Sequence, residues 1–106
     1  MAFEIRSEAS MDVVKIIATG ELDATVAGQL KTEVEKAATN NPKKLVLDLS
    51  GLEYMASAGL RALVFARQKM GADVEIIVAG AHDAVLETIE MTGFQHSITL
   101  VDTFEG

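Results

Sequence analysis

From Phe3 to Ser7, apolar and polar residues alternate. Phe3 and Ile5 fall on one face and Glu4 and Arg6 on the other, as in a half-buried strand. Ala9 to Asp12 reads as a turn. The β-branched run Val13 to Ala18 reads as a second strand, antiparallel to the first and ended by Gly20. Asp23 or Thr25 then caps a helix in which Val26, Leu30, Val34 and Ala37 recur at helical spacing. Asn40, Asn41 and Pro42 stop it. Leu45 to Leu49 is short and nearly all apolar, which predicts a central strand covered on both faces. After a loop, Leu60, Leu63, Val64 and Met70 mark one face of a helix over Ser57 to Met70, with Gly71 just past its end. Val74 to Ala79 is a fourth strand, Asp83 to Thr92 a third helix closed by Gly93, and Ile98 to Val101 a last short strand.

The order β-β-α-β-α-β-α-β predicts an α/β fold. A mostly parallel central sheet would follow an N-terminal antiparallel hairpin, with three or more packed helices and right-handed crossovers. No linker or repeat divides the chain, so a single domain over 1–106 is expected. Sites in such folds gather at the C-terminal ends of strands. That singles out the loops Gly20–Thr25, Ser50–Gly59 and Gly80–Asp83.

Composition narrows the function. With 9 Lys and Arg against 16 Asp and Glu, the net charge is −7, which argues against nucleic acid and anionic membrane as partners. There is no cysteine, hence no thiol chemistry. The first residues carry charges where a secretory signal needs an apolar core, and no apolar run is long enough to span a bilayer. A cytoplasmic domain is expected. His82 and His96 lack a ligand cluster, and the glycines form no phosphate loop, so neither a metal nor a cofactor is expected. Asp48 ends a central strand as a receiver phospho-acceptor does, but strand one ends in Ser7-Glu8, without a receiver's acidic pair. Ser50 is expected to bond its own loop backbone.

Ser57 is the informative residue. It stands where a helix begins, between Ala56, Ala58 and Gly59, and small neighbours leave its hydroxyl open. Two readings stand. It is an N-cap, for which Ser is a preferred residue, or it is a hydroxyl that carries a phosphate stabilised by the helix N-terminus. Asp23 likewise reads as a cap or as part of a functional surface.

The run LVLDLSGLEYMASAGLRALV resembles the signature of the STAS domain of bacterial anti-sigma factor antagonists, and ATGELDATVAGQL resembles that family's Gly-x-Leu-Asp turn. The order of elements agrees from Phe3 to Val101. The resemblance implies partner switching. The dephosphorylated antagonist binds an anti-sigma factor that is also its serine kinase, releasing a sigma factor. Phosphorylation ends the binding, and a metal-dependent serine phosphatase restores it. Ser57 takes the place of the phosphorylated serine and Asp23 that of an acidic residue facing the kinase. The expected partner surface comprises Asp23, Thr25, Tyr54, Met55, Ala56, Ser57, Ala58, Gly59 and, on the exposed face of the helix Leu60–Met70, Arg61. Ala56 stands where many members carry Asp, and Ala58 where Ser or Thr is common, so Ser57 is the only hydroxyl of the motif.

The implied role is a regulatory module, not an enzyme, because no nucleophile–base pair shares a strand-end loop. The module is expected to be a monomer when free. Ala56 keeps open a module that is never phosphorylated, a constitutive antagonist or scaffold. A small-molecule-sensing domain or small enzyme using the strand-end crevice is the third reading.

Overall fold

Strict alternation shapes the second strand. Val14, Ile16, Ala18 and Leu22 are buried, while Val13, Lys15, Ile17 and Thr19 between them are only partly covered. The computed structural model describes residues 2–103, and the remaining residues of the expected 1–106 domain lie outside that range. Its elements are β1 (Glu4–Ser10), β2 (Val13–Leu22), α1 (Ala27–Ala38), β3 (Lys44–Met55), α2 (Ser57–Met70), β4 (Glu75–Ala79), α3 (Asp83–Met91), a 3₁₀ turn at Phe94–Ser97 and β5 (Thr99–Val101). The strands pair in the order β1-β2-β3-β4-β5, β1 antiparallel to β2 and every later pair parallel. The α/β class and the opening hairpin are as expected.

Three boundaries differ most from expectation. The hairpin turn is only Met11-Asp12, because Met11 takes a left-handed φ of 54° and Ser10 already pairs with Val13. Gly20 does not end β2, and Ser50–Met55 is strand, not loop. Register shifts between Ile17 and Thr19 and between Gly20 and Glu21 carry the β2–β3 ladder on to Leu22 and Met55. Inward-facing positions in this stretch of β3 become Leu49, Leu52 and Met55, a spacing of three that hides a strand from a period-two reading. Gly51 sits at one shift opposite Thr19, where a Cβ would come within 2.6 Å of the Thr19 methyl.

Every crossover runs the same way across the sheet, so right-handed connections place all three helices on one face. The core agrees. Val14, Ile16, Leu45, Leu47, Ile76 and Val78 pack with Leu30, Val34, Leu63, Val85, Ile89 and Phe94, whereas Val46 and Ile77 lie outside that cluster. The helices therefore do not cover β3 on both faces. Val46 is nonetheless 0% exposed. It sits in register between Lys15 and Ile77, and the pairs Lys15–Asp48 (3.9 Å) and Lys44–Glu75 (4.0 Å) flank it. Long polar side chains close the helix-free face with their stems and keep their charges in water.

Candidate functional site

The prolonged β2–β3 ladder builds the site. It sets Leu22 beside Met55, and the Ala56 N–H donates to the Leu22 carbonyl at 2.9 Å. The loop after β2 and the start of α2 thus become neighbours although more than thirty residues separate them in sequence. This brings Asp23 and Thr25 to the same end of the molecule as Tyr54 to Arg61.

Asp23 organises its own loop. Its Oδ1 accepts from the Thr25 hydroxyl at 2.5 Å and the Thr25 N–H at 2.9 Å, and its carbonyl accepts from the Val26 and Ala27 N–H groups. The Thr25 hydroxyl, then the Thr25 N–H, hold the Asp23 carboxyl below the ordinary carboxylate range. Neither Asp23 nor Thr25 is the N-cap of α1. That position is Val26, which makes no side-chain cap bond. The carboxylate acts two residues on, within the loop, rather than on the helix itself.

Ser57 is not an N-cap either. Ala56 holds that position in extended backbone, and Ser57 is the first helical residue. A side chain there does not reach the N–H groups that a cap satisfies. Ser57 is exposed, and among the described residues its hydroxyl has no hydrogen-bond partner. Ala58 is half-buried and Gly59 buried. A Cβ on Gly59 would stand 2.8 Å from Leu22 Cγ and 3.0 Å from Met55 Cγ, so this glycine lets α2 seat on the ends of β2 and β3. Its smallness serves internal packing.

The other residues divide in two. Tyr54 is 47% exposed and Arg61 is exposed one helical turn beyond Ser57. Met55 is 2% exposed and points into the core, so with Gly59 it shapes the surface from beneath. Sequence reasoning missed Thr88, whose hydroxyl donates to the Met55 carbonyl at 3.3 Å and ties α3 to the site. It also missed His82, whose Nε2 lies 2.6 Å from the Ser50 carbonyl oxygen. Helix-face polarity gives no hint of either contact, because both depend on packing across the sheet. Ser50 bonds differently from expectation: its hydroxyl and N–H reach the Asp48 carboxylate at 2.6 and 3.0 Å. A carboxylate two residues away is a stronger acceptor than a loop carbonyl.

A five-stranded sheet covered on one face, with a bare serine at the start of its second crossover helix, defines a class. The STAS domain family model matches residues 4–106, and the chain belongs to that family. Among its relatives is the anti-sigma-F factor antagonist RsfB of Mycobacterium tuberculosis, 30% identical over 84 residues, 79% of this chain and 69% of the relative. An anti-sigma factor antagonist from Mycobacterium paratuberculosis has a structure similar to this one at a TM-score of 0.88 and 26% identity, over 97% of this chain and 88% of the other. The Bacillus cell fate determinant SpoIIAA in its phosphorylated form shares the fold at a TM-score of 0.71 and 17% identity, over 93% and 90% of the two chains. Among the described residues, no helix is long and apolar enough to cross a membrane.

Proposed function

We propose that this protein is an anti-sigma factor antagonist switched by phosphorylation of Ser57. The unmodified form binds an anti-sigma factor that is also its serine kinase, and so frees a sigma factor. Phosphorylation ends the complex, and a metal-dependent serine phosphatase restores it. The role is regulatory, carried out in the cytoplasm. The observation that carries this reading is the exposed Ser57 hydroxyl at the start of α2, which has no hydrogen-bond partner among the described residues. It is the only hydroxyl between Ala56 and Arg61, so the acceptor is unambiguous.

The physics favours a charge switch. Residues 23–25 and 54–61 contain one acidic group, Asp23, and one basic group, Arg61, which formally cancel. A phosphate brings about −1.5 to −2 charges to that near-neutral patch. A partner surface fitted to small, uncharged residues must then desolvate a dianion to bind.

The test pairs modification with binding. Intact-mass and peptide spectrometry on protein from its native cells should find a phosphate on Ser57. Ser57→Ala should bind the partner kinase as the wild type does and take no phosphate, and Ser57→Asp should bind roughly tenfold or more weakly. Equal binding by Ser57→Asp would sink the switch. Ala56 favours one second reading, a constitutive binding module. A stable partner recovered with Ser57 unmodified under every growth condition would establish it.

A further inference from the structure

Resting on the reading of Ser57 as the modified hydroxyl, we infer that Arg61 is the counter-ion of the phosphoserine within the same chain. Phosphorylation then does two things to the switch surface: it adds negative charge and it captures the one cation there. Ser57 and Arg61 are four residues apart on α2 and both are exposed. Side chains at that spacing lie one above the other, with Cβ atoms about 5–6 Å apart. Helical side chains lean toward the N-terminus, so a long side chain at position 61 can reach back over the turn that holds Ser57.

The rest of the same helix shows that Arg61 is available. Among the described residues it has no ion-pair or hydrogen-bond partner. Phe65 is the next residue along the row of Ser57 and Arg61. Lys31 Nζ from α1 lies 4.9 Å from its ring centroid. The second arginine of α2, Arg67, donates to the carbonyls of Gly71, Val74 and Ser97. A planar guanidinium left facing a phosphorylated serine matches two phosphate oxygens at once.

The other charged groups on the elements packed around α2 make such a counter-ion useful. They are Lys15 and Glu21 on β2, Asp23 in the loop, Lys31, Glu33, Glu35 and Lys36 on α1, Lys44, Asp48 and Glu53 on β3, and Asp83, Glu87 and Glu90 on α3. Carboxylates outnumber lysines among them, nine to four, so a cation one helical turn from Ser57 is of use to a dianion there. With Arg61 drawn onto the phosphate, the modified surface offers a partner neither the neutral hydroxyl nor the free guanidinium.

The test is a phosphorus NMR pH titration of the full chain carrying genetically encoded phosphoserine at position 57. The wild type is compared with Arg61→Gln and Arg61→Lys. Removing the cation should raise the second phosphate pKa by roughly half a unit at low salt. The Lys variant should fall between, and the difference should shrink near 1 M salt. Unchanged amide spectra in the variants would exclude unfolding as the cause. The same second pKa in wild type and Arg61→Gln would overturn the inference. Because the phosphate is installed without a kinase, this outcome is independent of whether cells phosphorylate Ser57, which the mass spectra decide.

Discussion

The two ends of α2 treat polar groups in opposite ways. At its C-terminal end the Arg67 guanidinium donates to the carbonyls of Gly71, Val74 and Ser97, the last two at 2.6 and 3.2 Å. The Gly71 N–H also donates to the Arg67 carbonyl at 3.3 Å. One side chain there ties together a helix end, the entry to β4 and the 3₁₀ turn. At the N-terminal end Ala56 provides no side-chain cap, the Ser57 hydroxyl has no partner among the described residues, and Arg61 stands exposed. A fold that is tightly bonded at one end of a helix can leave the other end open without losing the helix, because Leu60, Leu63 and Ala66 hold it to the core. The open end is where the sequence motif lies.

The largest effect should come from breaking the open end from beneath. Gly59→Val places branched carbons against the side chains of Leu22 and Met55, which are 0% and 2% exposed in the core. Overpacking of this kind costs about 3 kcal/mol, against at most about 1 kcal/mol regained in helix propensity. Urea denaturation should show the loss, and partner binding should fall with it because Ser57 rides on that turn. A variant as stable as the wild type would mean that α2 does not seat on the strand ends through this glycine.

Breaking the closed end should cost less and leave the switch alone. Arg67→Ala removes bonds to three carbonyls, two of them solvent-exposed, so about 1–2 kcal/mol is expected. Partner binding by the folded variant should match the wild type. If Arg67→Ala weakened binding as much as Ser57→Asp, the two ends of α2 would be coupled rather than independent.

Legibility followed the same division. The order of elements could be read because apolar runs such as Leu45–Leu49 and the stripe Val26, Leu30, Val34 and Ala37 are local patterns. The continuation of β2 and β3 could not, since register shifts set Leu49, Leu52 and Met55 three apart and a Ser-Gly pair stands inside the strand. That continuation is what brings Asp23 and Ser57 together, so the motif residues were visible while the reason for their proximity was not. The bonds of Arg67 were equally hidden, because its Ser97 partner is 30 residues away. Ser57 itself was one position from the role its residue type suggests: a serine at a helix start reads as a cap, and only the backbone shows Ala56 occupying that place.

The smallest effect concerns Asp23, the carboxylate of the open end whose Oδ1 accepts two hydrogen bonds from Thr25. The Thr25 hydroxyl and N–H bond its ionised form, so its folded pKa lies below the value of about 3.9 expected when unfolded. A group depressed in this way contributes stability above its unfolded pKa and loses it as pH falls through the folded one. The wild type should therefore lose this contribution below about pH 4, and Asp23→Asn should flatten that part of the stability profile. Asparagine keeps an oxygen that can accept from Thr25, so the loop should hold its shape and the change should be confined to acid pH. Thermal unfolding of both proteins across pH 2 to 6 would read this directly. Parallel profiles would show that Asp23 gains nothing from Thr25 on folding. Its place beside Ser57 would then rest on the strand ladder and the Ala56–Leu22 bond alone, and the open end would be held entirely from below.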